Sequence, residues 1–232
     1  MNAETFCGHF ETFADAPNGM KRLRELVFRL AIQGKLVPQD SHDQPADAFV
    51  DEIAKFKEGA TGRASHIDCL DSDAVGFPLR PGWVAVRFGD IMLSRDGERI
   101  PVSRDIREGR KGPYDYYGAS GVIDSIDDFL FDKPLLLIGE DGANLINRST
   151  PIAFIAHGKY WVNNHAHVWD GISLEFLKYI ELFINAIDLK PYVTGTAQPK
   201  MNQAKMNSIG VAPAPRRAAA DCGEGGPVAG AV

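Results

Sequence analysis

Apolar residues recur at helical spacing in two successive stretches near the start of the chain. In NGMKRLRELVFRLAIQGKLVPQD, the residues on one helical face are Leu23, Leu26, Val27, Leu30 and Ala31. Asn18 is a candidate N-cap, and Gly34, with Pro38 beyond it, marks the end of this helix. In QPADAFVDEIAKFKEG, Pro45 lies near the first turn, and the apolar face comprises Phe49, Val50, Ile53 and Phe56. The pattern predicts a helical segment over residues 1–58.

After residue 78 the pattern changes to short runs rich in β-branched and aromatic residues. Separated by Gly, Asp and Pro, these runs are WVAVRFGDIML (Trp83 to Leu93), FLFDKPLLLIG, PIAFIAHGKYWVNN and HAHVW. His157 to Tyr160 predicts a tight hairpin connection within one of them. SLEFLKYIELFINAID predicts one helix with Ser173 as its cap, and a last short strand is expected from Ser208 to Val211.

These changes of pattern divide the chain into four parts. Residues 59–77 contain Gly, Ala and Asp without a period, which predicts a linker. Residues 78–215 are expected to form one domain, and residues 216–232 an irregular, disordered tail. The predicted fold class is therefore α+β: a mixed domain of mostly antiparallel strands with a packed helix, preceded by the helical segment.

The composition is that of a globular protein: 44% of the 232 residues are apolar and 24% are charged, which predicts a folded core. The three cysteines, Cys7, Cys69 and Cys222, share no CxxC spacing, which favours reduced thiols over disulfides or a zinc site. No cationic N-terminus precedes an apolar run, and no stretch approaches the length of a membrane span. We therefore expect a soluble, cytoplasmic protein with no membrane partner.

The net charge of −6 argues against a polyanionic partner, but the distribution of charge weakens that objection. Residues 79–113 contain eight basic and five acidic side chains, and residues 187–217 contain five basic side chains and one acidic. An acidic protein can bind DNA when folding brings such cationic segments together, because only charges near the phosphates matter. The alternative is that both segments are ordinary solvated surfaces.

Side chains that suit a DNA groove are concentrated in these two segments. Arginine pairs bidentately with phosphate or with a guanine edge, and hydroxyl and amide side chains add further hydrogen bonds. The candidates in the first segment are Arg95, Arg99, Arg104, Arg107, Arg110 and Lys111. Those in TGTAQPKMNQAKMN are Thr194, Thr196, Gln198, Lys200, Asn202 and Gln203. An ordinary polar surface loop is the alternative for this second set.

A metal-dependent hydrolase is an alternative function, with His165, His167, Glu140 and Asp141 as its residues. The two histidines are spaced to lie on one side of a strand, where they suit zinc or iron. Against this, no third ligand recurs at a recognisable offset, Asp-Gly is also common turn chemistry, and strand histidines often serve as hydrogen-bonding groups. The sequence contains no Walker A, GxGxxG, GxSxG or kinase signature. We expect no bound metal.

Six short motifs follow one another along the chain: LRELVFRLAIQGKLVPQD, GWVAVRFGDI, YDYYGASGVID, LLLIGEDGANL, WVNNHAHV and YVTGTAQPKMNQAKMNSIGV. In this order they resemble the specificity (S) subunits of type I restriction–modification systems. The resemblance covers about residues 18–215. It corresponds to the N-terminal conserved segment and the first target-recognition domain of such a subunit.

The resemblance implies a function that the residue pattern alone does not reach. Subunits of this family have no catalytic site and bind double-stranded DNA, and each of their two target-recognition domains reads half of a split sequence. They dock modification subunits, which methylate adenine with S-adenosylmethionine, and restriction subunits, which cut DNA using ATP and Mg. The chain itself would bind no cofactor. The recognition loops implied are residues 116–121, 139–144 and 195–203, which add the candidates Tyr116, Tyr117, Ser120 and Asn144.

The tail from Arg216 onward departs from the family pattern, in which a long amphipathic spacer helix and a second recognition domain would follow. One choice of codons for this tail, read one base later, encodes AVRRQIVAKVDQLLAL, whose apolar residues fall on one helical face. We therefore expect out-of-frame sequence after a frameshift, which would make the chain a truncated subunit or a non-functional remnant. A half subunit can also act as a homodimer that reads an inverted repeat.

Overall fold

The computed structural model describes residues 16–36, 38 and 45–213. The predicted tail over residues 216–232, with its expected frameshift, lies outside the described residues, as do the last two positions of the predicted domain. Within the described ranges, no helix combines the length and the apolar character needed to cross a lipid bilayer.

The described part of the chain contains seven α-helices, three 3₁₀ turns and ten strands. The helices are α1 (Gly19–Ile32), α2 (Ala46–Thr61), α3 (Phe88–Ile91), α4 (Arg104–Glu108), α5 (Asn144–Asn147), α6 (Leu174–Ala186) and α7 (Gln203–Asn207). The 3₁₀ turns are Ser72–Val75, Asp96–Glu98 and Lys190–Tyr192. The strands are β1 (Val86–Arg87), β2 (Leu93–Ser94), β3 (Tyr114–Gly118), β4 (Gly121–Ile126), β5 (Phe131–Asp132), β6 (Leu135–Gly139), β7 (Ala153–Ala156), β8 (Lys159–Val162), β9 (Ala166–Asp170) and β10 (Gly210–Val211).

The strands form three sheets, and antiparallel pairing dominates. A two-stranded sheet pairs β1 with β10, and the two four-stranded sheets have the orders β2-β9-β6-β7 and β4-β3-β8-β5. Among the named strands, the one parallel pair is β3 with β8, in which Tyr116 lies opposite Trp161. This mixed, mostly antiparallel arrangement with packed helices confirms the predicted α+β class.

Strand β6 is buried on both faces and connects two parts of the core. Leu136 and Ile138 pack in the main cluster, which also contains buried residues of α1, α2, α6 and β10. Leu135 and Leu137 point the other way and pack in a second cluster with residues of β8 and β9. Burial on both faces explains why this strand has a continuous apolar sequence rather than an alternating one.

Helix α6 is held at both ends by side chains. The Oγ of Ser173, the predicted cap, accepts a hydrogen bond of 3.1 Å from the backbone N–H of Phe176. At the other end, the guanidinium of Arg148 donates to the carbonyl oxygens of Ile184, at 3.3 Å, and Ile187, at 2.7 Å. The buried face of the helix comprises Phe176, Leu177, Tyr179, Ile180, Phe183 and Ile184.

Helix α1 ends as the sequence predicts, at a glycine in the left-handed conformation. Gly34 has φ +63°. Its N–H donates to the carbonyl of Ala31 at 2.9 Å, and the N–H of Lys35 donates to Leu30 at 2.8 Å. These two bonds form a Schellman motif, which satisfies carbonyl groups that the last turn would otherwise leave without partners.

The buried face of α1 differs from the predicted one. Ala31 and Ile32 are buried, whereas Leu26 and Val27 remain 41% and 39% exposed. Asn18 occupies the N-cap position, but its side chain makes no capping hydrogen bond. The predicted face of α2 is the more accurate of the two, because Phe49, Val50 and Ile53 are all buried.

Residues 59–77, predicted as a linker, contribute to the core, and Leu70 and Phe77 are partly buried against the main cluster. Helix α2 continues past residue 58 to Thr61, and the side chains of Ile67 and Val75 are buried in the main cluster. The four apolar residues are three, five and two positions apart, which is neither a helical nor a strand period, so the pattern gives no sign that they are buried.

The predicted hairpin at His157–Tyr160 is wrong. The flanking strands β7 and β8 belong to different sheets, because β7 pairs with β6 whereas β8 pairs with β3 and β5. Gly158, at φ +71°, turns the chain from one sheet to the other. A turn residue between two β-rich runs signals a change of direction but does not specify which strands then pair.

The β-rich run from Trp83 to Leu93 is also interrupted, by the short helix α3. Phe88 and Ile91 lie at helical spacing and are fully buried. The ring of Phe88 packs edge-on against Trp169, with centroids 4.8 Å apart. Packing against the core therefore outweighs the β propensity of this run.

Candidate nucleic-acid interface

Residues 194–203, called the candidate loop below, form a closed loop on the surface. The backbones of Thr194 and Lys200 hydrogen-bond to each other in both directions at 2.8 Å, so the five residues between them form a compact tip. At the base of the loop, the N–H of Met201 donates to the carbonyl of Glu140 at 2.8 Å. The loop is therefore held on the turn that follows β6.

All six predicted residues of this loop are exposed: Thr194, Thr196, Gln198, Lys200, Asn202 and Gln203. Asn202 and Gln203 also serve the fold. The side-chain oxygen of Asn202 caps α7 by accepting from the N–H of Lys205 at 2.9 Å, and the Gln203 amide donates to the hydroxyl of Ser94 at 2.7 Å. Thr196 and Gln198 lie in the tip, where their side chains face solvent.

Glu140 connects the two cationic segments. Its Oε2 accepts a hydrogen bond from Arg99 at 3.0 Å, and its Oε1 lies 3.0 Å from the Lys200 ammonium. Burial alone would raise the pKa of Glu140, but hydrogen bonds from Lys200 and Arg99 outweigh it and hold that pKa below its ordinary value. The hydrogen bond to Glu140 in turn raises the pKa of Lys200. Parts of the two segments thus meet at one carboxylate.

His167 fastens the base of the candidate loop to β9. Its side chain is 2% exposed; Nδ1 lies 2.6 Å from Oδ2 of Asp96, and Nε2 lies 2.9 Å from the carbonyl oxygen of Met201. Because a carbonyl oxygen only accepts hydrogen bonds, Nε2 carries a hydrogen and donates it. The other oxygen of Asp96 accepts from the N–H of Val168 at 2.8 Å.

The pairing of β6 with β9 explains why these side chains converge. Ile138 lies opposite His167, and the N–H of Glu140 donates to the carbonyl of His165 at 2.8 Å. Glu140 and His167 therefore emerge close together, with His167 Nδ1 3.9 Å from the Glu140 carboxylate.

Asp96 is the member of this network that sequence reasoning missed. It pairs with His167 and also lies 3.4 Å from Arg99, at the start of the 3₁₀ turn Asp96–Glu98. Its signal in the sequence is an Asp-Gly pair, which indicates a turn and does not reveal a partner more than seventy residues away.

Two arginines of the first segment are held by acids of the domain. Arg95 pairs with Glu98 and with Asp170, each at 3.0 Å, and Asp170 also binds Lys133 at 2.7 Å. The Arg99 side chain, besides its acidic partners, donates to the carbonyl of Ala166 at 2.7 Å. Both therefore help to fix the backbone around β9.

The remaining basic candidates form a second group, on α4 and in the turn after it. Arg107 pairs with Asp124 at 2.9 Å, Lys111 also bonds to Asp124, and Arg110 pairs with Asp127 at 2.7 Å. Hydrogen bonds from Lys111 and Arg107 hold the pKa of Asp124 well below its usual range. The acidic partners of these three lie on β4 and just after it, at an edge of the other four-stranded sheet, whereas Arg104 pairs with Glu108 of its own helix at 3.3 Å. The structure thus brings Arg99 to the candidate loop but places these cations elsewhere.

Tyr116, which the recognition loops suggested as a DNA-binding residue, is fully buried and cannot contact a duplex in this structure. Its hydroxyl exchanges hydrogen bonds with the backbone of Val102 at 3.0 and 3.2 Å, and the Arg107 guanidinium lies 4.5 Å from the centre of its ring. Arg107 and Arg99, each with a side chain only 13% exposed, are also committed to internal partners. They would have to break these contacts to reach a base edge.

The three other candidates from the recognition loops occupy different environments. Ser120 is exposed in the turn between β3 and β4. Tyr117 is half-buried, with its ring stacked 5.9 Å from Phe154. Asn144 holds its own turn, because its side-chain oxygen accepts from the N–H of Thr150 and its amide donates to the carbonyl of the same residue, both at 3.1 Å.

The histidines of the hydrolase alternative are bound to different acids. His165, half exposed, lies 2.7 Å from Asp141, whereas His167 bonds to Asp96 and to a backbone carbonyl. Among the residues that the structure describes, no group of three or more His, Cys, Asp or Glu side chains is arranged to hold a metal ion. The geometry is that of an ion-pair and hydrogen-bond network rather than of a shared metal site.

The candidate residues lie in a part of the chain that matches a known protein family. Residues 81–213 match the family described as the type I restriction modification DNA specificity domain. This range is more than half of the chain and includes every candidate residue above. The chain belongs to this family. Membership confirms the family predicted from the motifs.

Individual relatives match smaller parts of the chain. A type I restriction enzyme specificity subunit from Haemophilus influenzae is 31% identical over 112 residues, which are 48% of this chain and 28% of that protein. The type I restriction enzyme EcoEI specificity subunit from Escherichia coli is 36% identical over 95 residues, 39% of this chain and 16% of that protein. The crystal structure of a type I restriction–modification S subunit from M. genitalium is 14% identical with a TM-score of 0.43, covering 96% of this chain and 53% of that one. The matched parts span less than a third of the Haemophilus influenzae and Escherichia coli specificity subunits.

Proposed function

We propose that the chain is a non-catalytic DNA-recognition component of a type I restriction–modification complex and reads one half of a split target. The observation that carries this proposal is the candidate loop, which lies inside the matched range and exposes six hydrogen-bonding side chains from a fixed base. Polar side chains on a loop whose base is held by the fold can hydrogen-bond to base edges, because both the side chains and the base edges then have defined positions.

Binding would begin with phosphates. The exposed ammonium group of Lys111 and the guanidinium of Arg104 can contact the backbone, which makes the affinity depend on salt. Sequence would then be read by the tip of the candidate loop. Gln198 can bond bidentately to adenine, and Thr196 offers a hydroxyl and a methyl group to the groove.

The remaining parts of the proposal concern partners. A modification subunit would methylate adenine with S-adenosylmethionine, and a restriction subunit would cut with ATP and Mg, so this chain would bind no cofactor itself. Two copies of the chain could supply two half-sites by pairing about a two-fold axis. Because these partners act on the bacterial chromosome, the complex would work in the cytoplasm. The specificity subunits among the relatives support this assignment.

The test is a methylation map of the host genome, combined with co-purification of the full-length chain and the neighbouring modification subunit. We expect adenine methylation at one sequence motif to disappear when the gene is deleted and to return with the wild-type gene. Gln198→Ala should reduce methylation or relax one base position of the motif, whereas Glu58→Gln, an exposed change on α2, should not. An unchanged map after deletion would contradict the proposal.

A further inference from the structure

The cations proposed to meet DNA are already paired with carboxylates of the chain itself. The pairs are Arg95 with Asp170, Arg99 with Glu140, Arg104 with Glu108, Arg107 with Asp124, Arg110 with Asp127, Lys111 with Asp124, and Lys200 with Glu140. A phosphate that approaches any of these groups must therefore compete with an internal acid. The cost of that competition depends on how well solvent screens the existing pair.

Glu140 is the strongest internal competitor at the candidate loop. Its side chain is only 12% exposed, and each of its two oxygens is bound by a different cation. Lys200, in contrast, is 52% exposed and lies at the end of the loop tip. The pair of Arg104 with Glu108, both well exposed, is screened by water and offers little resistance to a phosphate.

We propose that Glu140 is a specificity-determining residue that withholds Lys200 from the phosphates of random DNA. This inference rests on the proposed function. In a chance encounter, a phosphate gains little by replacing a partly desolvated carboxylate as the partner of Lys200. Once the loop tip is seated on its own base edges, a phosphate is held beside Lys200, and the exchange becomes effectively intramolecular.

Such a device would lower non-specific affinity more than specific affinity. A genome presents a very large number of wrong sites for each correct one, so the ratio of the two affinities matters more than either alone. An internal charge that opposes the wrong complex is a recognised way to raise that ratio. Arg99 is expected to stay in place during the exchange, because Asp96 and the Ala166 carbonyl also hold it.

The test uses Glu140→Gln in the full-length chain and a fluorescent duplex of arbitrary sequence, titrated at several salt concentrations. Glutamine preserves the shape and one acceptor but removes the charge. We expect roughly three- to tenfold tighter binding, and a log–log salt slope steeper by about 0.9, the value of one added phosphate contact. Glu58→Gln, which removes the same charge from an exposed position on α2, should leave the slope unchanged.

Two further variants distinguish the release of Lys200 from two other causes: misfolding of the variant, and weaker charge repulsion between Glu140 and DNA. In a Lys200→Ala background, Glu140→Gln should no longer steepen the slope; a steepening that persists there would overturn the inference. Glu140→Asp, which retains the charge but shortens the side chain, should fold and bind random DNA with intermediate affinity. If neither Glu140 variant binds more tightly than the wild type, the inference fails. If the wild type binds no duplex even at low salt, the proposed function itself fails.

Discussion

His167 and Met201 join the sheet to the candidate loop: Nε2 of the imidazole lies 2.9 Å from the Met201 carbonyl oxygen. The other ring nitrogen is bound by Asp96, so the buried ring cannot rotate without losing both partners. Through this contact, β9 fixes the position at which the loop returns to the domain. The loop tip is exposed while its base is held by hydrogen bonds, which is the arrangement that recognition of a fixed set of base edges requires.

His167→Leu is expected to destabilise the domain because it removes the side chain that donates to the Met201 carbonyl and one of the partners of Asp96 in a buried site. We expect a loss of about 3 kcal/mol in the free energy of unfolding, measured by urea titration. His165→Leu is the matched control, since His165 is half exposed and its pair with Asp141 should contribute less than about 1 kcal/mol. Equal losses for the two variants would argue against a special role for His167.

Arg148→Met is expected to weaken the C-terminal end of α6. The guanidinium donates to two carbonyls there, at Ile184 and Ile187, and its positive charge suits the negative end of the helix dipole. Its loss should cost about 1.5–3 kcal/mol in thermal unfolding. Arg104→Met, at an arginine that is 83% exposed, should change stability by less than about 0.5 kcal/mol. A neutral Arg148→Met would show that the cap contributes little.

Gly34→Ala tests the end of α1. A Cβ at this position would lie 2.7 Å from Cζ2 of Trp83, and the backbone has φ +63°, so the variant is strained by both contact and conformation. We expect a loss of about 2 kcal/mol or more. Gly59→Ala provides the opposite control, because the helical site has open space and alanine should stabilise α2 by about 0.5–1 kcal/mol. A Gly34→Ala variant that is more stable than the wild type would contradict the Schellman motif at the end of α1.

Asp124, which pairs with Arg107 and Lys111, should make the free energy of unfolding depend on pH. Hydrogen bonds from Lys111 and Arg107 depress the pKa of Asp124 in the folded state. Its contribution is therefore fully present above the unfolded-state value of about 3.9 and is lost as pH falls further toward the folded value. The stability difference between the wild type and Asp124→Asn should be largest near neutral pH and shrink toward about pH 3. Urea titrations at several pH values check this, and a difference that grows on acidification would contradict it.

The sequence predicts those features that a local pattern determines. The Ser173 cap, the Gly34 stop and the apolar face of α2 each depend on neighbouring residues, and the structure confirms the first two and, for the face, Phe49, Val50 and Ile53, with Phe56 only partly buried. The exposure of the candidate loop also follows from its polar composition. The family emerges from the order of several motifs, none of which is specific by itself.

Features that depend on distant residues escape the pattern. The pairing of Asp96 with His167 spans more than seventy positions, and only the register of β6 with β9 brings Glu140 to the same place. Tyr116 looks like a ligand in the sequence because it is polar and close to arginines, yet it points into the core. Residue type alone does not distinguish a cation that meets DNA from one that meets a carboxylate.

Sequence-selective binding of duplex DNA through the candidate loop is the property on which the proposed function depends. Its most direct measurement begins with selection of the full-length chain against a randomised duplex library, followed by titrations of the enriched and scrambled duplexes over a range of salt. We expect at least about tenfold tighter binding to the enriched sequence. On that sequence, Lys200→Ala should flatten the salt slope by about 0.9, and exposed Lys178→Ala on α6 should not. A chain that enriches no sequence and binds duplexes independently of salt would contradict this account.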